Sequence, residues 1–431
     1  MLKKIAVDEL RTGMYLHGLC GKWVDHPFWK TKFVLSDPRD LVKLRESAVE
    51  ECWIDVSKGH DVVAAAPAAV PASAPVSAPM AEAAPVAGAA AAPAPAAAPA
   101  PAAVSTASIS LAEEVKRAAA LVSQSRAQVT SLFQEARMGR AVDAEACLPL
   151  VAEITESVWR NPGALISLAR LKTHDDYSYM HSVAVCALMV ALARQLGQDE
   201  AQAREAGLAG LLHDMGKASM PLAILNKPGR LTTEEFDIIK THPKRGHDLL
   251  MSGTSTPPVA LDVCLHHHER PDGTGYPFGL KGDALSMAAR MGAVCDVYDA
   301  ITSNRPYKKG WDPADSISRM SAWAKDGQFD PMVFAAFVKS LGVYPVGSLV
   351  RMRSGRLAVV VEQSAGQLLK PWVKVFYSTK SQMPVAIELM DTGDAACSDA
   401  IAARESNDTW KFPHLDELWA GRDALAAASG R

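Results

Sequence analysis

From about Val63 to Val104 the chain is written almost entirely in Ala, Pro, Val and Ser. That stretch limits the possible folds more than any other feature. Proline removes helical hydrogen bonds, and too little large apolar surface is present to build a core. Residues 63–107 therefore read as a semi-extended linker separating folded units on either side. The prolines interrupt every approach to a run of about 18 strongly apolar residues, so no membrane insertion is expected. The tract inflates the apolar fraction of 48%, and the seven cysteines are scattered and never form a CxxC pair. Free thiols in a reducing cytoplasm suit that pattern better than disulfides or a thiolate zinc site. The N-terminus, MLKKIAVDELRTGMYL, is charged too early for a signal peptide. A formal net charge of −3 with no long basic run argues against DNA as a partner.

Before the linker, residues 1–62 read as a small α+β domain. Ile5 to Val7, Met14 to Leu16 and Phe33 to Leu35 are short strand candidates. A helix is expected from Asp37-Pro38 toward Ala48, and Cys52 to Val56 as a closing strand. Trp23, Phe28 and Trp29 read as core or domain-contact aromatics. After Ser108 helical periodicity takes over, punctuated by Asn161-Pro162-Gly163, Gly197, Pro228-Gly229, Pro257-Pro258, Asp312-Pro313 and Asp330-Pro331. Thr232 and Glu235 have capping-box spacing. The fold class is thus mainly α, an all-α bundle over 108–342. A short β extension follows at 343–395, with a hairpin about Ser354-Gly355 and "WVKVFYS" as a third strand. Residues 396–431 read as a peripheral tail.

Histidines and aspartates recur at the helix ends. His181 lies in the helix around "YSYMHSVAVCALMVALARQLG", and His213-Asp214 close the next one. His242 is expected at the end of the helix that Thr232 caps. His267 and His268 end another, while Asp296 and Asp299 stand at i, i+3 on one face. A lone histidine on an amphipathic helix is ordinarily a core or surface residue. Five helices delivering His or Asp beside Leu211, Leu212, Val263 and Leu265 is a different matter, because unpaired polar groups there are costly and a shared metal offsets that cost. Imidazoles and carboxylates without cysteine suit Mn, Fe, Ni or Zn in an open catalytic site. In an adjacent His-Asp pair the carboxylate can bridge two ions. Two ions about 4 Å apart generate hydroxide and clamp both oxygens of an in-line displacement at phosphorus.

These residues resemble the H…HD…D signature of HD-superfamily phosphohydrolases. "LLHDMGK", "ILNKPGRLTTEE", "HPKRG", "HHERPDGTGYP" and "DVYDAITSNRPYK" are similar to the HD-GYP subfamily, across about residues 165 to 340. Residues 1–62 resemble a small domain that often precedes HD-GYP. The resemblance implies an HD-type helical bundle and a phosphodiesterase opening cyclic di-GMP to pGpG, with onward cleavage to GMP left open. The implied metal ligands are His181, His213, Asp214, His242, His267, His268 and Asp296, with Asp214 bridging two divalent ions. Iron or manganese is favoured over nickel, cobalt or zinc. His266 has no counterpart and reads as a surface residue.

Lys217, one turn past the His-Asp pair, can stabilise charge on the transferring phosphoryl group. Arg305 and Lys308 can hold phosphate, and Lys309 reads as solvated. Asp175 matches a family acidic position near the attacking water, and Asp299 is expected to hydrogen-bond a ligand or lysine. Tyr276 can line a guanine pocket or pack the loop into a docking surface for diguanylate cyclases; the sequence does not choose. Some family members bind a third ion through a glutamate four residues before the helix histidine. Tyr177 stands there, and a neutral phenol is a poor ligand for a hard cation, so a binuclear centre is expected. The alternatives are another cyclic-dinucleotide substrate, or a catalytically weak receptor or cyclase-binding module. Degenerate receptors are expected to lose ligands or the GYP loop, and here every one is present. A homodimer is compatible with the sequence but not indicated by it.

Overall fold

The computed structural model describes residues 2–20, 33–45, 49, 51–61, 109–171, 177–227, 229–253, 255–304, 310–364 and 366–429 of the 431. The linker, the aromatics Trp23, Phe28 and Trp29, and the expected helix end at Ala48 lie outside them. The chain divides into two compact units, Met1–Ser105 and Thr106–Arg431.

In the first unit, β1 (Leu2–Ala6), β2 (Tyr15–Leu19), β3 (Phe33–Val34) and β4 (Glu51–Asp55) form an antiparallel sheet in the order β1-β4-β2-β3. The strand expected to close the unit is thus an inner one. Helix α1 (Pro38–Arg45) starts at its proline, as first-turn geometry allows. Leu10, Met14, Leu16, Leu35, Leu44 and Ile54 make a core with no exposure.

The second unit is a helical bundle followed by a sheet. Its helices are α2 (Leu111–Arg137), α3 (Leu148–Arg160), α4 (Pro162–Arg170), α5 (Tyr177–Gln195), α6 (Glu200–Leu212), α7 (Leu222–Leu225), α8 (Thr233–Ile239), α9 (His242–Met251), α10 (Pro258–His266), α11 (Met287–Thr302), α12 (Pro313–Lys325) and α13 (Pro331–Leu341). Prolines open α4, α10, α12 and α13 where a missing N–H costs nothing, and Asn161, Asp312 and Asp330 cap backbone amides. Every residue from Met180 to Ala193 is buried. A helix apolar on all faces belongs at the centre of a bundle, and α5 packs on α4, α6, α11 and α13.

Two expectations need correcting. His242 does not end the capped helix: α8 stops at Ile239, and His242 and Pro243 begin α9. Proline fits a first turn but clashes with the preceding carbonyls of a helix interior, so the boundary falls before it. The stretch 396–431 is also not peripheral. Strands β5 (Leu349–Met352), β6 (Arg356–Glu362), β7 (Trp372–Ser378), β8 (Met383–Asp391) and β9 (Ile401–Arg404) form one antiparallel sheet in the order β8-β7-β6-β5-β9. β9 pairs with β5, whose edge would otherwise stay open. The short helices α14 (Asn407–Trp410), α15 (Glu417–Ala420) and α16 (Arg422–Ser429) follow. Trp419 is buried, and Arg126 of α2 donates to the Ala428 carbonyl at 2.9 Å.

Candidate metal centre

One end of the bundle gathers α5, the α6 terminus, the start of α9, the end of α10 and one face of α11. A tight backbone approach makes this possible. A Cβ at Gly216 would run into the His242 carbonyl, and one at Gly246 would stand 2.7 Å from Cys264 Sγ. Without side chains at those positions, the 3₁₀ turn Met215–Ser219 lies directly against α9. Asp214, just before that turn, is thereby carried to His242.

Asp214 sits between two groups of imidazoles. Its Oδ2 lies 3.4 Å from Nε2 of both His181 and His213, and its Oδ1 lies 3.2 Å from His242 Nε2 and 3.7 Å from His267 Nε2. Asp296 faces His181 Nε2 at 3.0 Å and His268 Nδ1 at 3.7 Å. All of these side chains are buried except the partly exposed His268.

The hydrogen bonds behind the rings fix their chemistry. Nδ1 of His213 reaches the Gly210 carbonyl at 2.7 Å, that of His242 the Ile239 carbonyl at 2.7 Å, and that of His267 the Val263 carbonyl at 3.0 Å. Carbonyls only accept, so each Nδ1 carries a proton and each ring turns its Nε2 toward the centre. His181 Nδ1 meets Asp299 Oδ2 at 2.6 Å. The Nε2 atoms then face one another, at 3.2 Å between His181 and His213 and 3.3 Å between His242 and His267. Asp214 Oδ1 accepts no hydrogen bond among the described residues although it is buried. Such a convergence of acceptors needs a cation. Two sets meet that need with ligand atoms within 4.8 Å of one another: Asp214, His242, His267 and His268 in one, and His181, His213 and Asp296 in the other. The donor set fits divalent metal ions.

Protonation follows the same arrangement. Burial opposes charge on His181, but Asp214, Asp296 and Asp299 overcome it and raise its pKa to about 10. Burial pushes His268 down to about 3 and holds His267 well below the usual imidazole range, neighbouring histidines adding to both. Asp214 and Asp296 are held well below the ordinary carboxylate range despite burial, by Lys217 and His213 around the first and by His181 and His268 around the second.

Lys217 pairs with Asp214 Oδ2. Tyr276 stacks on His268 with ring centroids 4.7 Å apart, and its N–H donates to the His268 carbonyl at 3.2 Å. His266 turns away to Asp262 at 2.8 Å. Glu269 is the residue that the sequence reading missed. It is 1% exposed, and its carboxylate accepts from the N–H groups of Phe278 at 2.6 Å, Gly279 at 3.2 Å and Leu280 at 3.0 Å. It therefore closes the base of the glycine-rich loop that carries Tyr276. A charged residue after a helix end ordinarily reads as solvated, and no spacing signal connects it to amides nine to eleven residues on. Asp175, Arg305, Lys308 and Lys309 lie outside the described residues, as does the side chain of Tyr177.

A profile for the HD domain matches residues 161–333, and one for a domain of unknown function, DUF3391, matches residues 2–147. The cyclic di-GMP phosphodiesterase PA4108 of Pseudomonas aeruginosa is 52% identical over 431 residues, covering 100% of this chain and 98% of its own length. The cyclic di-GMP phosphodiesterase response regulator RpfG of Xanthomonas campestris pv. campestris is 36% identical over 223 residues, 50% of this chain and 58% of that protein. The 3'3'-cGAMP-specific phosphodiesterase 1 of Vibrio cholerae is 34% identical over 171 residues, 39% of each chain. With a relative of that identity matching from end to end, and with the HD cluster and GYP loop in place, this chain belongs to the HD-GYP family of HD-domain proteins.

Proposed function

We propose that this chain is a metal-dependent phosphodiesterase that hydrolyses cyclic di-GMP to linear pGpG. The observation that carries the reading is the Asp214-centred cluster of converging imidazole nitrogens and carboxylate oxygens in a chain 52% identical over its whole length to a cyclic di-GMP phosphodiesterase. His242, His267 and His268 would hold one ion, His181, His213 and Asp296 a second, and Asp214 both. Bound metal supplies Lewis acidity and lowers the pKa of water at the phosphorus. The protein's own part is to fix the acceptors. Backbone carbonyls hold three rings in the Nδ1–H tautomer, Asp299 orients His181, and Tyr276 covers one face of His268. Lys217 offsets the negative charge of Asp214 and stands ready for charge developing on the phosphoryl oxygens.

Two ions, iron or manganese, suit the donor set, because Tyr177 replaces the carboxylate that a third would require. No described helix is long and apolar enough to cross a membrane; a cytoplasmic site of action is part of this proposal. The resemblance to 3'3'-cGAMP phosphodiesterases over part of the chain makes substrate choice the deciding test. Metal-loaded protein should turn over cyclic di-GMP with kcat/KM at least about tenfold above that for 3'3'-cGAMP. The reverse preference would reassign the substrate, and turnover of neither would remove the enzymatic reading. Anomalous scattering at the metal edge should show two peaks in the cluster; three would refute the binuclear assignment.

A further inference from the structure

Away from the metal cluster, a cavity of about 470 Å³ opens between the bundle and the C-terminal sheet, near the far end of α5. Ile166, Leu188 and Leu368 give it apolar walls, and Trp159 adds an aromatic one. Arg170, the last residue of α4, lines this cavity and also a smaller one of about 90 Å³. It is 9% exposed, with its Nη2 against Gly347 in the wall of the smaller cavity, and among the described residues its guanidinium has no hydrogen bond and no ion pair within 4 Å. The other arginines of the wall are committed: Arg160 to Glu114 at 2.8 Å, Arg194 to the Trp159 carbonyl at 3.0 Å. The nearby acid Asp312 spends its oxygens on the amides of Ala314, Asp315 and Leu349, beyond ion-pair distance from Arg170.

The nitrogens of Arg170 are not among the buried polar atoms left without a partner, so the guanidinium stays open to cavity space, and its planar fork matches carboxylate and phosphate oxygens. The volume lies within the range of about 300–1,000 Å³ usual for small-molecule sites. The cavity also reaches Asp299, whose other face holds His181 Nδ1 at 2.6 Å. We infer that the cavity binds a small organic anion, a carboxylate or phosphate ester with a partly apolar body, and that its occupancy acts on the metal cluster through Asp299. The binding half of this inference is independent of the proposed phosphodiesterase activity; the coupling half rests on it.

Thermal unfolding of the metal-loaded full chain, with GMP and with succinate as probes, tests the binding. At a hundredfold excess over Kd, the anion that fits should raise the midpoint by about 5 °C. The shift should persist in Asp214→Asn and vanish in Arg170→Met. A response to GMP alone identifies a phosphate site, and to succinate alone a carboxylate site. No response to either, or an unchanged response in Arg170→Met, would overturn the assignment. Without any anion, Arg170→Met should unfold at or above the wild-type midpoint, because methionine replaces an unpaired charge. A lower midpoint would make Arg170 a structural partner of Asp312 and sink the proposal. For the coupling, the anion should change the wild-type hydrolysis rate at saturating substrate by at least about twofold and leave Arg170→Met unresponsive. Binding without any change in rate would overturn that half.

Discussion

The two halves of the metal cluster use the same ligand types and have opposite affinities for a proton. Around His181 three carboxylates converge, and its pKa rises to about 10. Around His267 and His268 imidazoles crowd one another under burial, and His268 falls to about 3. An imidazole's readiness to release its lone pair is therefore set by the groups around it. One half must give up a proton to take a cation, and the other is already deprotonated. Asp214 faces two histidines in each half, whereas Asp296 reaches one in the second, so removing Asp214 should erase the contrast. Asp214→Ala should lose both ions together, with activity falling on the order of 10⁴-fold, the scale seen when one member of a unit is deleted. Retention of one full equivalent of metal would show that the halves fill independently.

Asp299→Asn breaks the comparison on one side only. Asparagine can still face His181 Nδ1 but carries no charge, so the raised proton affinity should subside and the ring lose its orienting partner. A loss of about 10–100-fold in metal affinity or activity is expected, the usual range for a residue that orients a ligand. It should fall on the His181 half, leaving one equivalent bound. Equal loss from both halves would overturn the division.

The contrast also predicts proton release. Because its folded pKa is raised above the unfolded value near 6.5, His181 contributes stability to the metal-free protein that is full below about pH 6.5 and is lost as pH rises through about 10. Metal must displace that proton, so filling the His181 half at pH 8 should release about one, with affinity dropping about tenfold for each pH unit below 10. Filling the His267 and His268 half should release none. Calorimetry in two buffers of different ionisation enthalpy counts the protons. Equal release from both steps would contradict the assigned protonation states.

Most of the cluster was legible in the sequence because His213, Asp214, His242, His267 and His268 sit at helix ends that Gly and Pro mark, and because His-Asp and His-His are adjacent pairs. His242 was read onto the wrong helix, since the chain alone does not say which side of Thr241-His242-Pro243 breaks. β9 was missed because four residues, IAAR, carry too little alternation to announce a strand. Its place is set by the open edge of β5, a tertiary fact. Arg170 gave no signal at all. A basic residue at a helix C-terminus is the expected partner of the helix dipole, and only packing reveals that it lines a cavity.

The smallest effect is expected at Glu269, which contrasts with the cluster in a different way: it holds a loop through backbone amides and is not among the converging ligands. In Glu269→Gln the carbonyl oxygen can keep the bonds from Phe278 and Gly279, but the new NH₂ group faces the Leu280 N–H, donor against donor. Leaving one buried donor unsatisfied costs about 1–3 kcal/mol. That cost falls locally on residues 271–281, because among the described residues the side chain's hydrogen bonds all go to this loop. Metal content should stay unchanged and kcat/KM should fall by less than about tenfold, through a loop that spends part of its time open. Amide hydrogen exchange at residues 278–280 should speed up while the helices keep their protection. If metal were lost with the loop still protected, Glu269 would belong to the cluster, and the separation between ligand-bearing helices and a carboxylate-tied loop would fail.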